Sequence, residues 1–469
     1  MKLTRRQLLA GAGAGALTAA GAYELVDRLA RAPARPAAAA LPQEQHLLNG
    51  VSVVVDNGVE VLVPPLHHQV VTARLSVEPT RTAAREAQAA FEEQLGALER
   101  RFESTPAGLG VTVGWGLPYF RRYVPGGVES LPIDRRASKE KDRPVRVLLD
   151  ARRFPSDPAD TILEENDLAV LLRSDSLDNI AAGAEALFRD LDLFAVTSIR
   201  KGFAGGGFGG GRSLPKRMAV AAGVRGADLI PDSAELFLGF TSTQRAGLGP
   251  GTIANLETLG YSDGGPDGYF RGGTSMHLSH IHEDLEAWYI NFDHAERVAT
   301  TFRPGLDVAP GTLTVRQAPD DVATVEHNRR DFHRVGMIGH SASIQTSSRL
   351  QQDVVGEEGT VFRKGTAVPQ RADFNTLDNP FFWSADPERD RLSDEAAAGV
   401  HFVVFNPTSD DFHRNRLAMD GVLPDGTRLP FEVAARGRGI NSVLTTTHRQ
   451  NFLVPPRRHR SFPLAERTA

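Results

Sequence analysis

The chain has 469 residues, with 53 Lys and Arg against 58 Asp and Glu and no cysteine. The slight negative excess argues against nucleic acid as a partner. Without cysteine the fold has no disulfide framework and rests on its core, and the length suits two domains or one large one.

The N-terminus is basic at Lys2, Arg5 and Arg6 and continues into a short apolar run, Leu8 to Ala22, rich in Leu, Ala and Gly. That run is too short and too glycine-rich for a good membrane span. Thr4-Arg5-Arg6-Gln7-Leu8-Leu9 fits a twin-arginine export signal, with small residues at Ala37 to Ala40 offering a cleavage site. The expectation is a leader over residues 1–40, the twin-arginine export machinery as a partner, and a mature protein exported across the cytoplasmic membrane to a periplasmic or extracellular location. Residues 1–40 hold six basic and two acidic residues, so the mature chain carries a net charge of −9.

Residues 41–65 read as an extended lead-in with short strands at Val51 to Val55 and Val59 to Val63. A strand is predicted at His67 to Ser76. A helix follows at Thr80 to Phe102, where Ala84, Ala87, Phe91, Leu95 and Leu98 recur at helical spacing. Gly110 to Trp115 alternates as a strand and ends at Pro118-Tyr119-Phe120; Pro155 and Pro158 mark a loop. Asp167 to Leu172 is a strand, Ser176 to Leu191 a helix and Leu193 to Ile199 a strand. This order is that of a ferredoxin-like α+β unit.

Phe203 to Gly211 is glycine-dense but lacks the strand-to-helix context and the Lys-Ser/Thr of a phosphate loop, so it reads as a flexible loop. Pro215 to Gly226 marks a boundary. Beyond it the pattern repeats: strand Met276 to Ile281, helix Asp284 to Arg303, strand Gly399 to Asn406, helix Asp410 to Met419. The predicted fold class is α+β, with one ferredoxin-like half over 41–225 and a second over 226–469.

In this order the chain resembles the dye-decolourising (DyP-type) haem peroxidases. Val111 to Phe120 (VTVGWGLPYF) is similar to the family's LTVTFGFGPxxF strand, and Gly239-Phe240-Thr241-Ser242-Thr243 stands where the family has GFxDG. Gly272-Gly273-Thr274 leading to Glu283–Tyr289 looks like its GGSY strand and helix, and Gly399 to Leu417 like its closing strand and helix. The resemblance implies a dimeric α+β barrel-type fold, haem b held on the second half, and hydrogen peroxide with a small-molecule substrate as reactants. A homo-oligomer is left open.

The family's proximal histidine lies in a GxxHIR-like segment. Met337-Ile338-Gly339-His340-Ser341 occupies that place without the Ile-Arg, which makes His340 the implied axial ligand. Asn406 and Asp410 are candidates to orient its ring, and His327 and His333 are weaker candidates for the ligand itself. The distal arginine maps to Arg363 in Phe362-Arg363-Lys364-Gly365, where it would stabilise charge on the departing oxygen. Ser242 replaces the family's distal aspartate, and a hydroxyl is a poor proton carrier near neutral pH, so weakened turnover is expected.

On the strand Met276 to Ile281, alternation puts His280 and His282 on one face and His277 on the other. His280 and His282 are read as approaching the haem propionates, with a separate zinc or copper site or a haem ligand from this strand as alternatives. Three functions follow: an exported peroxidase, a non-catalytic haem-binding or haem-handling protein, and a scaffold without cofactor.

Overall fold

The computed structural model describes residues 23–27, 29–30, 41–56, 59–206, 211–240, 256–258, 260–313, 322–355, 361–379, 395–430 and 439–465. In the N-terminal half, β1 (His67–Leu75) leads to α1 (Arg81–Arg101) and β2 (Gly110–Gly116); β3 (Leu168–Ser174) then leads to α2 (Leu177–Phe188) and β4 (Phe194–Phe203). The strands pair antiparallel in the order β4-β1-β3-β2, the ferredoxin-like arrangement. The outward residues of this sheet, among them Val71, Val113, Trp115, Val170 and Leu172, pack directly on Phe91 and Leu95 of α1 and Ile180 and Leu187 of α2.

The second half repeats the topology. Its strands are β5 (Thr274–Glu283), β6 (Phe374–Thr376), β7 (Gly399–Asn406) and β8 (Leu444–Val454), with α3 (His340–Ser348) before β6 and α4 (Ser409–Met419) between β7 and β8. The pairing order is β8-β5-β7-β6. The predicted helix Asp284 to Arg303 is instead two helices, Leu285–Asn291 and His294–Thr301. Asp293 breaks it: its carboxylate accepts from the Glu296 amide at 2.8 Å, while Glu296 accepts from the Asp293 amide, a capping box that starts a new helix. The strand β8, polar over Thr445 to Asn451, has no counterpart among the predicted elements.

The two sheets close on each other. β2 pairs β8 at Trp115–Leu453 and Gly116–Phe452, and β4 pairs β6 at Phe203–Asn375, so the eight strands form one barrel. The second seam is tight: a Cβ on Gly202 would overlap the Asn375 carbonyl and the Phe374 ring. Val70, Leu171, Met276, Val403, Phe405 and Phe452 fill the barrel interior. Towards the other end it turns polar, with His280 opposite His401 (ring centroids 4.2 Å apart), and Arg200 and His448 close enough to act on both electrostatically.

Residues at the chain ends pack on this body. Phe462 lies against Phe91 and Trp115, and the Trp115 indole donates to the Arg460 carbonyl at 2.8 Å. Within the expected leader, Tyr23 and Val26 are buried; the Tyr23 hydroxyl donates to Asp378 Oδ1 at 2.9 Å and Asp27 pairs with His67 at 2.7 Å. Cleavage near residue 40 would remove these contacts. Among the described residues no helix is long and apolar enough to cross a membrane.

Two predictions follow from the barrel. Gly202→Ala forces the β4–β6 seam apart and lowers unfolding free energy by about 1–3 kcal/mol, the usual cost of overpacking, measured by urea denaturation. Burial holds the interior histidines neutral: His68 is pushed down to about 3, and His280 and His401 are also lowered, each chiefly by loss of hydration. The unfolded chain takes up protons at these residues below pH 6.5 and the folded chain does not. Their contribution is therefore complete above pH 6.5 and is lost as the pH falls towards 3. Unfolding free energy should drop by at least about 1.4 kcal/mol per pH unit in that window, and His68→Gln should make the drop shallower.

Candidate functional site

The outer face of the second sheet differs from that of the first. Here α3 and α4 stand off the strands and leave a cavity of about 240 Å³. The sheet wall carries Ser279, Ile281 and Glu283 of β5, Val400, Phe402 and Val404 of β7, and Leu444, Thr446 and Arg449 of β8. The residues of β5 and β7 alternate as a strand requires. On β8 a bulge between Thr446 and His448 shifts the parity, which brings Arg449 to the cavity face.

The helical wall carries His340, Ser341, Ile344 and Ser348 of α3, and Phe412, Asn415, Arg416 and Met419 of α4 at one-turn spacing. Ser347 donates to Asn415 Oδ1 at 2.7 Å and ties the two helices together. Leu236, Leu238 and Phe240 line the cavity from the segment just before Ser242, and Ser156 and Asp157 from the N-terminal half.

His340 is the first residue of α3. Gly339 precedes it because a Cβ there would overlap the Phe302 carbonyl, which in turn accepts from the Ala342 amide at 3.1 Å. This contact fixes the helix start and thus where the imidazole stands. Burial pushes His340 down to about 4, with Arg371 and Arg416 adding repulsion, so the ring is neutral at pH 7. Its Nδ1 is buried with no hydrogen-bond partner. Neither candidate for orienting the ring does so: Asp410 pairs with Arg414 at 2.6 Å, and Asn406 Oδ1 has no hydrogen-bond partner. His327 caps its own helix and His333 lies in that helix's last turn.

The other sequence-derived site residues fare differently. Arg363 is not in the cavity: its side chain is 75% exposed, at the end of the short hairpin Val354–Val355/Val361–Phe362, and pairs with Asp353 at 2.6 Å. A second sheet-wall arginine, besides Arg449, is Arg371, on the short strand Gln370–Arg371, with Nε and Nη2 buried without hydrogen-bond partners. The alternation of Gln370-Arg371-Ala372-Asp373-Phe374-Asn375 is the sequence signal that marks this strand.

His280 and His282 lie on one face and His277 on the other, as expected, but the cavity is on the His277 side. His280 is turned into the barrel, and neither His280 nor His282 lines the cavity. His277 stacks on Phe412 and bonds Asn451 at 2.6 Å. Among the described residues no group of three or more His, Asp or Glu is placed to hold a metal ion. Ser242 lies outside the described residues.

The cavity's charges are partly paired. Asp157 accepts from Arg449 at 2.8 Å and Arg416 at 3.3 Å, and Arg416 also reaches Asp420 at 2.8 Å. Burial pushes Arg449 down to about 10 despite its carboxylate partner. On the sheet wall, Arg371 Nε is 3.7 Å from Asp373 Oδ1. Glu283 lines the same cavity with a buried, unpartnered Oε2.

No curated protein matches the sequence. Among solved structures, the DyP-type peroxidase from Cellulomonas bogoriensis is 18% identical, with 87% of this chain and 95% of that one covered and a TM-score of 0.48. DyPB from Rhodococcus jostii RHA1 is 13% identical, with 85% and 95% covered and a TM-score of 0.48. The encapsulated DyP-type peroxidase from Mycobacterium smegmatis is 14% identical, with 86% and 96% covered and a TM-score of 0.47. The model of a family of unknown function, DUF7405, matches residues 65–456, a span that includes all eight barrel strands, and the chain belongs to that family.

Proposed function

We propose that the cavity binds haem b with His340 as axial ligand, and that the protein is an exported oxidoreductase using hydrogen peroxide and a small-molecule donor. The observation that carries this reading is His340: a neutral imidazole, its Nδ1 unpartnered, set in the wall of a slot between a sheet and two helices. A haem iron needs such a neutral nitrogen, and Ile281, Ile344, Val400, Phe402 and Met419 supply apolar walls for a flat macrocycle. The residues present fit the group.

Bound haem would supply the redox-active iron. The chain's own residues would do the rest. Arg371, replacing Arg363 in this role, presents N–H groups without hydrogen bonds from the sheet wall and would stabilise negative charge on a bound oxygen ligand. Arg416 and Arg449, held by Asp157, would meet carboxylates on the ligand's edge. Apolar side chains would keep water from the reacting atoms. In sequence register Ser242 stands where a carboxylate would carry protons, so proton transfer is weakened unless another group in the cavity provides it.

Haemin titration into the full-length protein should develop a Soret band in the wild type and a weak or absent one in His340→Ala. Arg371→Leu should slow the reaction with peroxide by about a hundredfold or more, while Arg363→Leu leaves it unchanged. An undiminished Soret band in His340→Ala would remove His340 as ligand, and no band in the wild type would remove the haem reading.

A further inference from the structure

A buried carboxyl in the cavity has no role in the scheme above. Glu283 ends β5 and lines the cavity, and its Oε2 is buried with no hydrogen-bond partner. Asp373, just before β6, lines the same cavity and also has a buried oxygen, Oδ1, without a hydrogen bond. An unpartnered ionised carboxylate in such surroundings costs several kcal/mol, and the usual resolution is that the group keeps its proton. Two carboxyls close enough to repel do this in an ordered way, one protonated and one charged.

We propose that Glu283 and Asp373 are the acid–base pair of the cavity, holding one proton and one negative charge and exchanging the proton with the oxygen of a small bound substrate, of which hydroperoxide is the simplest. This deepens the haem reading and rests on it for the identity of the substrate. The geometry divides the roles. Asp373 has the Arg371 guanidinium 3.7 Å away, which makes it the charged member. Among the described residues no cation acts on Glu283: Asp373 acts on it from the β6 side, and Glu283 in turn acts on Tyr289 of the following helix, whose hydroxyl donates to the Phe237 carbonyl at 2.6 Å. Burial first, and Asp373 second, push Glu283 up to about 8, so it is the protonated member at pH 7.

The proton balance closes. Asp373 takes the proton from one oxygen of hydroperoxide, Glu283 gives its own to the other, and transfer from Asp373 to Glu283 restores the pair; these residues move no electrons. The pair thus provides the proton transfer for which Ser242 is unsuited.

Infrared titration of the cofactor-free, full-length protein tests the pair directly. The wild type should show a protonated carboxyl absorption at pH 7 that disappears with a midpoint near 8. Glu283→Gln, which keeps the side-chain shape, should lack it, and Asp373→Asn should move the midpoint down. A titrating band that persists in Glu283→Gln, or no such band in the wild type, overturns the proposal. A second measurement uses haemin-loaded protein and hydrogen peroxide. Glu283→Gln should slow the spectral change at least about a hundredfold, a typical share for acid–base help, and abolish its pH dependence near 8, with haemin affinity unchanged. Wild-type speed in that variant overturns the proposal even if haem binds. If no haemin binds, the haem reading falls, while the infrared titration still decides the pair.

Discussion

Closure of eight strands into one barrel is the constraint on which the site depends. Each ferredoxin-like sheet has two faces, and closure commits one of them to the interior. β5 must then send Met276, Leu278 and His280 inward, opposite Phe405, Val403 and His401 of β7. Everything on the other parity, from His277 to Glu283, is left to face helices. The bulge in β8 applies the same rule after a change of register, which is how Arg449 comes to the cavity side while His448, Gln450 and Phe452 turn inward.

The two halves use their outer faces differently. In the first, α1 and α2 lie on the sheet and Phe91, Trp115, Phe194 and Phe462 fill the space with aromatic rings in edge and tilted contacts. In the second, the same layer holds shorter or polar side chains, Ser279, Thr446, Ser341 and Ser348, and the helices are propped away. Duplication of one topology thus gives a packed half that supplies stability and an open half that supplies a site. The loop bearing Ser156 and Asp157 joins them: a carboxylate from the first half holds the arginines of the second. Removing it would leave the buried Arg449 without its carboxylate and Arg416 with Asp420 alone, so Asp157 belongs to both the fold and the site.

The cavity wall carries several buried polar atoms without hydrogen bonds. His340 Nδ1, Glu283 Oε2, Asp373 Oδ1 and the Nε and Nη2 of Arg371 are all buried and without hydrogen bonds. Such groups are costly, and a protein retains them where they meet a ligand. Their chemistry is mixed, a neutral base, two carboxyls and a cation, which suits a site that moves protons more than one that only holds an anion.

The sequence by itself determined the local elements and the duplicated order. Helical spacing of Ala84, Phe91 and Leu95 and alternation on β5 were legible because each depends on neighbours a few residues apart. The parity of His277 against His280 and His282 was legible too, but not which face bears the cavity, since a period of two describes both faces equally. That was decided by closure with a sheet some two hundred residues away in the chain. Motif spacing pointed to Arg363, and only the fold shows it in a surface ion pair and Arg371 in the cavity wall. Glu283, Asp373, Asp157 and Arg449 come from four separate segments, and nothing local marks them as neighbours. Tertiary structure alone brought them together, because burial and charge proximity, which set their chemistry, exist only after the sheets have closed.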